Sequence, residues 1–136
     1  MQAALRLLRH RERSAAQVGR ELAARGLGES AREEALATLS RTGLVDDARY
    51  AETRARTLAT RSAGDSLIRH DLAAAGVAEE LVDSALGGLE PEGERAARIV
   101  ARRGSGAKTA RYLAGKGFSD DVVHAVIARA RDSELG

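Results

Sequence analysis

The side chains of this sequence that could carry out chemistry are few and widely spaced. Its three histidines, His10, His70 and His124, stand far apart, and none has a second histidine or a cysteine three or four residues away. Zinc sites are built from such nitrogen and sulfur ligands, and the chain contains no cysteine. We therefore predict no metal, no other cofactor, no disulfide and no cysteine nucleophile. The adjacent His70 and Asp71 are interpreted as a surface feature.

A pair of carboxylates, Asp46 and Asp47, is the other arrangement with catalytic potential. Paired carboxylates can act as general acid and base or hold a metal. These two, however, follow Gly43 and directly precede a helical stretch that begins Ala48-Arg49-Tyr50, and aspartate in that place is typical of a helix N-cap. The chain also has no P-loop, no dinucleotide-binding glycine motif and no nucleophile elbow. The sequence predicts a protein that is not an enzyme.

The elements that must position these side chains are short α-helices. Alanine supplies 28 of the 136 residues, proline occurs once, and only three residues are aromatic. This composition favours helices, and it argues against a β-sandwich or barrel and against a platform for stacking bases. No apolar run approaches the roughly 20 residues of a membrane span. We predict a cytoplasmic protein with no membrane association, because the lack of cysteine also suits a reducing compartment.

An internal repeat divides the chain into three units. Residues 22–27, 72–77 and 113–118 all read Leu-Ala-x-x-Gly-apolar, and an apolar pair follows ten residues after each glycine. Glycine is typical of the end of a helix, so Gly26, Gly76 and Gly117 mark equivalent turns between a second and a third helix. Two helix starts are also predicted, from a capping box at Ser14 and Gln17 and from Ser119 before two aspartates. The pattern predicts an all-α fold of three-helix units, at residues 1–44, 45–89 and 90–136, which stabilise one another by stacking.

Charge alternates along these units. Residues 71–94 hold seven acidic and no basic side chains, whereas residues 95–116 hold seven basic and no acidic ones. The turn between the second and third helices resembles a helix-turn-helix, but the third helix is acidic and phosphates would repel it. The alternation suits an extended surface that binds a repetitive, charged protein. Non-specific contact between the basic bands and a nucleic-acid backbone remains an open alternative.

Several segments resemble the RecX family of bacterial recombination regulators. Residues 43–51 are similar to the family's G-L-L-D-D-x-R-F-A signature, and residues 68–72 with Gly76-Val77 resemble its I-R-Q-E-L segment and the following K-G-I. Residues 111–122 match its closing R-F-L-x-x-x-G-F-S-x-x-V/I, and residues 4–8 and 11–14 look like its first unit. The resemblance spans nearly the whole chain.

The resemblance implies three tandem three-helix repeats in an elongated, curved array, present as a monomer. It also implies binding to the RecA recombinase and to the groove of the RecA–DNA filament. Inhibition of filament growth, strand exchange, ATPase and coprotease activity would follow, with only weak DNA binding. The chain departs from the family at residues 57–65, which lack most of the family's basic side chains, and at Arg54, where an apolar residue is common.

These considerations predict three groups of functional residues. We expect Asp46 and Asp47 to cap a junction between units, with Tyr50 packed there and Gly26, Gly76 and Gly117 forming the turns. Contacts to RecA or to DNA phosphates are expected from Arg6, Arg9, Arg13, Arg49, Arg69, Arg98, Arg102 and Arg111. Two alternatives stay open: a nucleic-acid-binding helical repeat that acts without RecA, and a helical scaffold that has lost RecA binding.

Overall fold

The computed structural model describes residues 2, 4, 5 and 12–135, and every regular element with defined bounds in this part is an α-helix. The prediction of an all-α protein is confirmed. The predicted first helix of the first unit falls mostly outside the described residues. The helices are α1 (Ala15–Ala24), α2 (Glu29–Arg41), α3 (Asp47–Thr60), α4 (Asp65–Ala74), α5 (Glu79–Gly87), α6 (Glu92–Arg103), α7 (Ala107–Gly115) and α8 (Asp120–Leu135).

Helix starts carry the side-chain caps that the sequence predicts. The Ser14 hydroxyl accepts a hydrogen bond from the Gln17 amide at 3.1 Å, and the Gln17 side chain accepts one from the Ser14 amide at 3.0 Å. At α8, the Ser119 hydroxyl accepts from the Val122 amide at 3.2 Å. Each bond satisfies an amide at a helix start that has no partner within the helix. Both capping predictions are confirmed.

The repeated Leu-Ala-x-x-Gly-apolar segment is a helix C-terminal turn whose geometry explains each position. Gly26, Gly76 and Gly117 have φ angles of +91°, +81° and +91°, in the left-handed region that side chains disfavour. The amide after each glycine donates to the carbonyl of the leucine five residues earlier, at 3.1 Å in every turn: Leu27 to Leu22, Val77 to Leu72 and Phe118 to Leu113. This is the pairing of a Schellman turn. The three leucines are buried. In each copy of the motif the glycine therefore ends the helix, and the leucine anchors that helix in the core.

Three hydrophobic clusters follow one another along the chain. The N-terminal cluster contains Ala4, Val18, Leu22, Ala35, Leu39 and Val45. The middle cluster joins α3, α4 and α5 and includes Tyr50, Ala51, Ala55, Ile68, Leu72 and Val82. The C-terminal cluster joins α6, α7 and α8 and includes Ala96, Ile99, Val100, Leu113, Phe118 and Ile127. The molecule is therefore a tandem array of small helical units, each with a modest core of its own.

Packing along helix sides takes place within the clusters. The α1 helix packs against α2, α3 packs against α4 and α5, and α6 packs against α7 and α8. Neighbouring clusters instead meet where the start of one helix reaches the end of another, as the hydrogen bonds below show. None of the helices in the described ranges has the length and apolarity needed to cross a membrane.

Candidate interaction grooves at two helix-end junctions

The first junction joins the start of α1 to the end of α4 and the start of α3. The Ser14 hydroxyl, which has no exposed surface, donates to the Ala75 carbonyl at 2.5 Å. The first amide of α1, at Ala15, donates to the Asp47 carboxylate at 2.8 Å. The Ser14 side chain thus caps its own helix and fastens that helix to the next cluster.

The signature aspartates divide the capping between two helices. The Asp46 carboxylate accepts a hydrogen bond from the Arg49 amide at 3.1 Å and is the N-cap of α3. The Asp47 carboxylate reaches across to Ala15 of α1. Tyr50 is buried one turn further along α3, and its hydroxyl accepts a hydrogen bond from the Gln17 side chain at 3.4 Å. In the described structure, the signature positions two helices rather than a substrate.

Arg49 has partners within the chain. Its guanidinium pairs with the Glu12 carboxylate and donates to the Gly43 carbonyl at 3.0 Å and the Leu44 carbonyl at 3.4 Å. The hydrogen bond to Glu12 raises the pKa of Arg49 above its ordinary value. Its predicted contact with a partner stays a prediction. In the free protein this side chain ties the segment before α1 to the segment before α3.

The second junction joins the start of α4 to the end of α7, and it is made by backbone groups. The Gly64 amide donates to the Lys116 carbonyl at 2.7 Å, and the Ser66 amide donates to the Gly117 carbonyl at 3.2 Å. A β-carbon on Gly64 would lie 2.5 Å from the Gly117 carbonyl carbon, and one on Gly117 would lie 2.7 Å from the Leu67 amide nitrogen. This approach is possible only because both residues lack a side chain.

Glu92 and Arg95 at the start of α6 complete the second junction. The Glu92 carboxylate accepts from the Asp65 amide at 2.6 Å and from the Ser119 amide at 3.4 Å, so it joins the starts of α4 and α8. Arg95, whose side chain is 11% exposed, pairs with Asp65 and donates to the Ala63 carbonyl at 2.9 Å. These contacts make Arg95 a structural arginine of the junction.

A groove of about 420 Å³ lies beside the first junction and is lined by Arg54 and Asp71, among others. The Arg54 guanidinium forms two hydrogen bonds of 3.0 Å with the Asp71 carboxylate, which raise the pKa of Arg54. Arg54 stands where an apolar residue is common in the family, and its charge is neutralised by Asp71 on α4. The sequence predicts Asp71 only as part of a surface feature and does not predict this pair, because no local signal links two side chains 17 positions apart on different helices.

A second groove, of about 330 Å³, lies beside the second junction and carries Arg56, Arg98 and Arg102. Two of these arginines are predicted contact residues, and the third, Arg56 on α3, was missed. The side chain of Arg98 is 74% exposed and pairs with one oxygen of Glu90 at 2.7 Å. Among the described residues, no carboxylate pairs with Arg56 or Arg102. The groove therefore brings unneutralised positive charge from two clusters to one place.

The remaining predicted arginines lie elsewhere. Arg69 is exposed and pairs with Asp83 at 2.8 Å, and Arg111 is exposed on α7. Neither lines the two grooves. Arg13 is half-buried directly before Ser14, and Arg6 and Arg9 lie outside the described residues.

In the described residues, the polar side chains at the two junctions make structural contacts. His70 and His124 are both exposed, and no group of three or more potential metal ligands occurs within the described part of the chain. The polar side chains at the junctions are engaged in helix caps and ion pairs. Fold and grooves together define an all-α helical-repeat protein with two charged grooves.

Comparison with known proteins identifies the family of this helical-repeat protein. The family model described as "RecX, second three-helix domain" matches residues 46–86, which contain α3, α4 and nearly all of α5. The chain is 34% identical to Regulatory protein RecX of Halorhodospira halophila over 145 aligned positions, covering 98% of this chain and 90% of that protein. It is also 34% identical to Regulatory protein RecX of Stenotrophomonas maltophilia, covering 90% and 82%. The chain belongs to the RecX family, and the resemblance in its sequence is confirmed.

Solved structures show the same helical-repeat fold. The crystal structure of RecX from Lactobacillus salivarius superposes with a TM-score of 0.82 at 23% identity, over 96% of this chain and 93% of that one. A second crystal structure of regulatory protein RecX gives a TM-score of 0.78 at 26% identity, over 92% and 69%. The predicted fold of tandem helical repeats is thus confirmed.

Proposed function

We propose that this protein is a non-enzymatic regulator that binds the RecA recombinase and the RecA–DNA filament and inhibits filament growth. The observation that carries the proposal is similarity, over 98% of the chain, to a protein named Regulatory protein RecX. The described structure supports a binding role, because its two junction grooves carry paired and unpaired charges but no arrangement of catalytic groups. Strand exchange, ATPase and coprotease activity of RecA would fall as a consequence.

The junctions explain how short helical units could act on a filament. Units that meet through hydrogen-bonded helix ends hold their grooves at fixed positions, so the arginines of each groove can face a repeating partner in register. We propose that the units comprise residues 1–44, 45–89 and 90–136, and that a monomer spans neighbouring RecA subunits. A regulator seated in this way would compete with addition of the next RecA subunit. Complementary charge would set its specificity and association rate more than its affinity.

The decisive experiment measures the ATPase of RecA from the same organism on single-stranded DNA while this protein is titrated in. ATPase should fall as the ratio of this protein to RecA rises. The variant R98E/R102E should inhibit less, while R41E/R129E, with the same charge change at exposed positions outside both grooves, should inhibit like the original protein. Unchanged ATPase at several-fold molar excess over RecA would sink the proposal.

A second candidate function is nucleic-acid binding without RecA. It is favoured by the seven basic and no acidic side chains of residues 95–116, among which Arg102, Lys108 and Arg111 are exposed. Binding through phosphates would give a salt dependence of about one logarithmic unit per phosphate contact. Salt-titrated binding of the free protein to single-stranded DNA separates the two functions, since tight binding with a steep slope favours this second one.

A further inference from the structure

We propose that the second groove is the binding site for an acidic, amphipathic segment of the partner protein. The segment would place an apolar side chain on the floor of the groove and carboxylates against Arg56, Arg98 and Arg102. This inference rests on the proposed function, because it takes RecA as the protein that supplies the segment. It specifies which face of this chain makes the contact and which chemistry the partner must offer.

The groove presents two kinds of surface side by side. Its apolar lining consists of the partly exposed Ala59 and Leu89 together with the buried Ile99 and Phe118. Its arginines come from α3 on one side and α6 on the other. Arg56 and Arg102 are exposed, and no carboxylate among the described residues neutralises either of them. Arginine binds carboxylates through two parallel hydrogen bonds, and Arg54 with Asp71 shows that geometry elsewhere on the same helix.

The same lining favours a protein segment over a nucleic acid. A phosphate backbone would leave the apolar lining of the groove uncovered. Single-stranded nucleic acids gain much of their affinity from bases stacked on aromatic rings. Here Tyr50 and Phe118 are buried, and the Arg103 guanidinium lies 3.6 Å from the centre of the Tyr112 ring. The groove offers no free ring to a base.

Glu90 acts as an internal competitor for the incoming carboxylate. One of its oxygens holds Arg98, while the other is buried and has no hydrogen-bond partner among the described residues. A carboxylate of the partner must therefore share the Arg98 guanidinium with Glu90, or displace Glu90 from it. Replacing Glu90 with glutamine keeps the shape of the side chain, removes its charge and releases Arg98. The groove should then bind an acidic segment more tightly.

The test measures the binding of RecA to the full chain without DNA, using the original protein and three variants. R56E/R102E should bind at least about ten-fold more weakly, because two anchoring guanidiniums become repulsive. E90Q should bind several-fold more tightly, and R41E/R129E should bind like the original protein. Circular dichroism and urea unfolding establish that each variant is folded.

Each outcome has a distinct meaning. If the original protein binds RecA and R56E/R102E binds equally well, the groove is not the site, although the proposed function stands. If the original protein does not bind RecA, with or without DNA and nucleotide, both proposals fail. If E90Q binds RecA no more tightly than the original protein does, Glu90 does not compete with the partner's carboxylate.

Cross-linking identifies the occupant directly. A photoreactive benzoylphenylalanine at position 60 would stand on the rim of the groove, since Thr60 is exposed and lines it. After illumination with RecA on single-stranded DNA, the cross-linked peptide should come from RecA and contain acidic side chains. Cross-links to the DNA, or to a RecA peptide without acidic residues, would overturn the inference.

Discussion

The two junctions between neighbouring clusters share one arrangement of helix ends but are made by different chemical groups. The helices α1, α4 and α7 each end at one of the three motif glycines. At the first junction the start of α1 meets the end of α4, and at the second junction the start of α4 meets the end of α7. At each junction, a carboxylate on the first residue of a third helix, α3 or α6, accepts a hydrogen bond from the first amide of α1 or α4. Asp47 accepts from Ala15, and Glu92 accepts from Asp65. Helical units of this protein are therefore joined by satisfying the free amides of helix starts.

The junctions differ in what crosses the boundary. At the first junction a side chain crosses it, because the Ser14 hydroxyl reaches the Ala75 carbonyl. At the second junction the backbone crosses it in addition to the side chains of Glu92 and Arg95. The Gly64 amide reaches the Lys116 carbonyl, and the two glycines at 64 and 117 leave no room for a methyl group. The motif glycine therefore lies against the side chain of Ala16 at the first junction and against the backbone of Leu67 at the second. The same glycine motif thus has different duties at different places.

Alanine substitutions at the three motif glycines should show the largest effects. Gly117→Ala adds the strain of a positive φ and a clash with the backbone of Leu67, so we expect a loss of about 2–4 kcal/mol in the free energy of unfolding. Gly76→Ala has the same strain, and its methyl group would overlap the β-carbon of Ala16. The backbone of Ala16 holds that atom in place, so we expect a similar loss. Gly26→Ala meets nothing within 4 Å and should cost about 1 kcal/mol, from φ alone. Urea unfolding measures all three.

A compensating substitution separates the clash from the strain. Ala16→Gly removes the methyl group that Gly76→Ala would strike, so the double variant G76A/A16G should recover part of the loss beyond the cost of A16G alone. The same background should not rescue G117A. Equal losses at all three glycines would show that close approach contributes nothing and that the junctions are equivalent.

Removal of the carboxylates that join the helices, Asp47 at the first junction and Glu92 at the second, should give the second largest difference in the free energy of unfolding. Glu92→Ala deprives two amides of their acceptor, and we expect a loss of about 2–3 kcal/mol, whereas Asp47→Ala deprives one amide and should cost about 1–2 kcal/mol. Glu94→Ala is the matched control, because Glu94 is an exposed acid in the first turn of the same helix as Glu92. Thermal unfolding that ranks Glu94 with Glu92 would rule out the bridging role.

Local features of this fold are readable from the sequence, and the junctions are only partly so. The capping box at Ser14 and the turn at Gly76 depend on residues within a few positions of each other, so spacing alone predicts them. The Arg54–Asp71 pair and the two amides held by Glu92 join segments 17 and 27 residues apart. Their partners are decided by how helices pack, which no local pattern encodes.

The candidate grooves show the same limit. Arg98 and Arg102 stand in a basic band of the sequence and were predicted as contact residues. Arg56 joins them only because α3 and α6 both line the second groove, so no local pattern distinguishes it. Glu90 and Arg95 were likewise indistinguishable from their charged neighbours. Their roles depend on burial and on partners from another cluster.

The smallest expected effect is a dependence of stability on pH at the second junction, through Tyr112. A hydrogen bond with the Ser62 side chain lowers the pKa of Tyr112 below its ordinary value of 10.0, and the charges of Arg103 and Lys116 lower it further, while burial opposes them. Ser62 precedes α4 and Tyr112 lies on α7, so the bond spans the junction.

The lowered pKa fixes the direction of the effect. The folded state releases the Tyr112 proton at lower pH than the unfolded state does, so this group adds stability as the pH rises towards and past 10.0 and adds none near neutrality. The stability of the original protein relative to Y112F should therefore increase over that alkaline window. Substitution S62A should reduce the increase, because it removes the largest cause of the shift. Urea unfolding as a function of pH measures the difference, and a value that stays constant from neutral to alkaline pH would show that the phenol does not couple the two clusters.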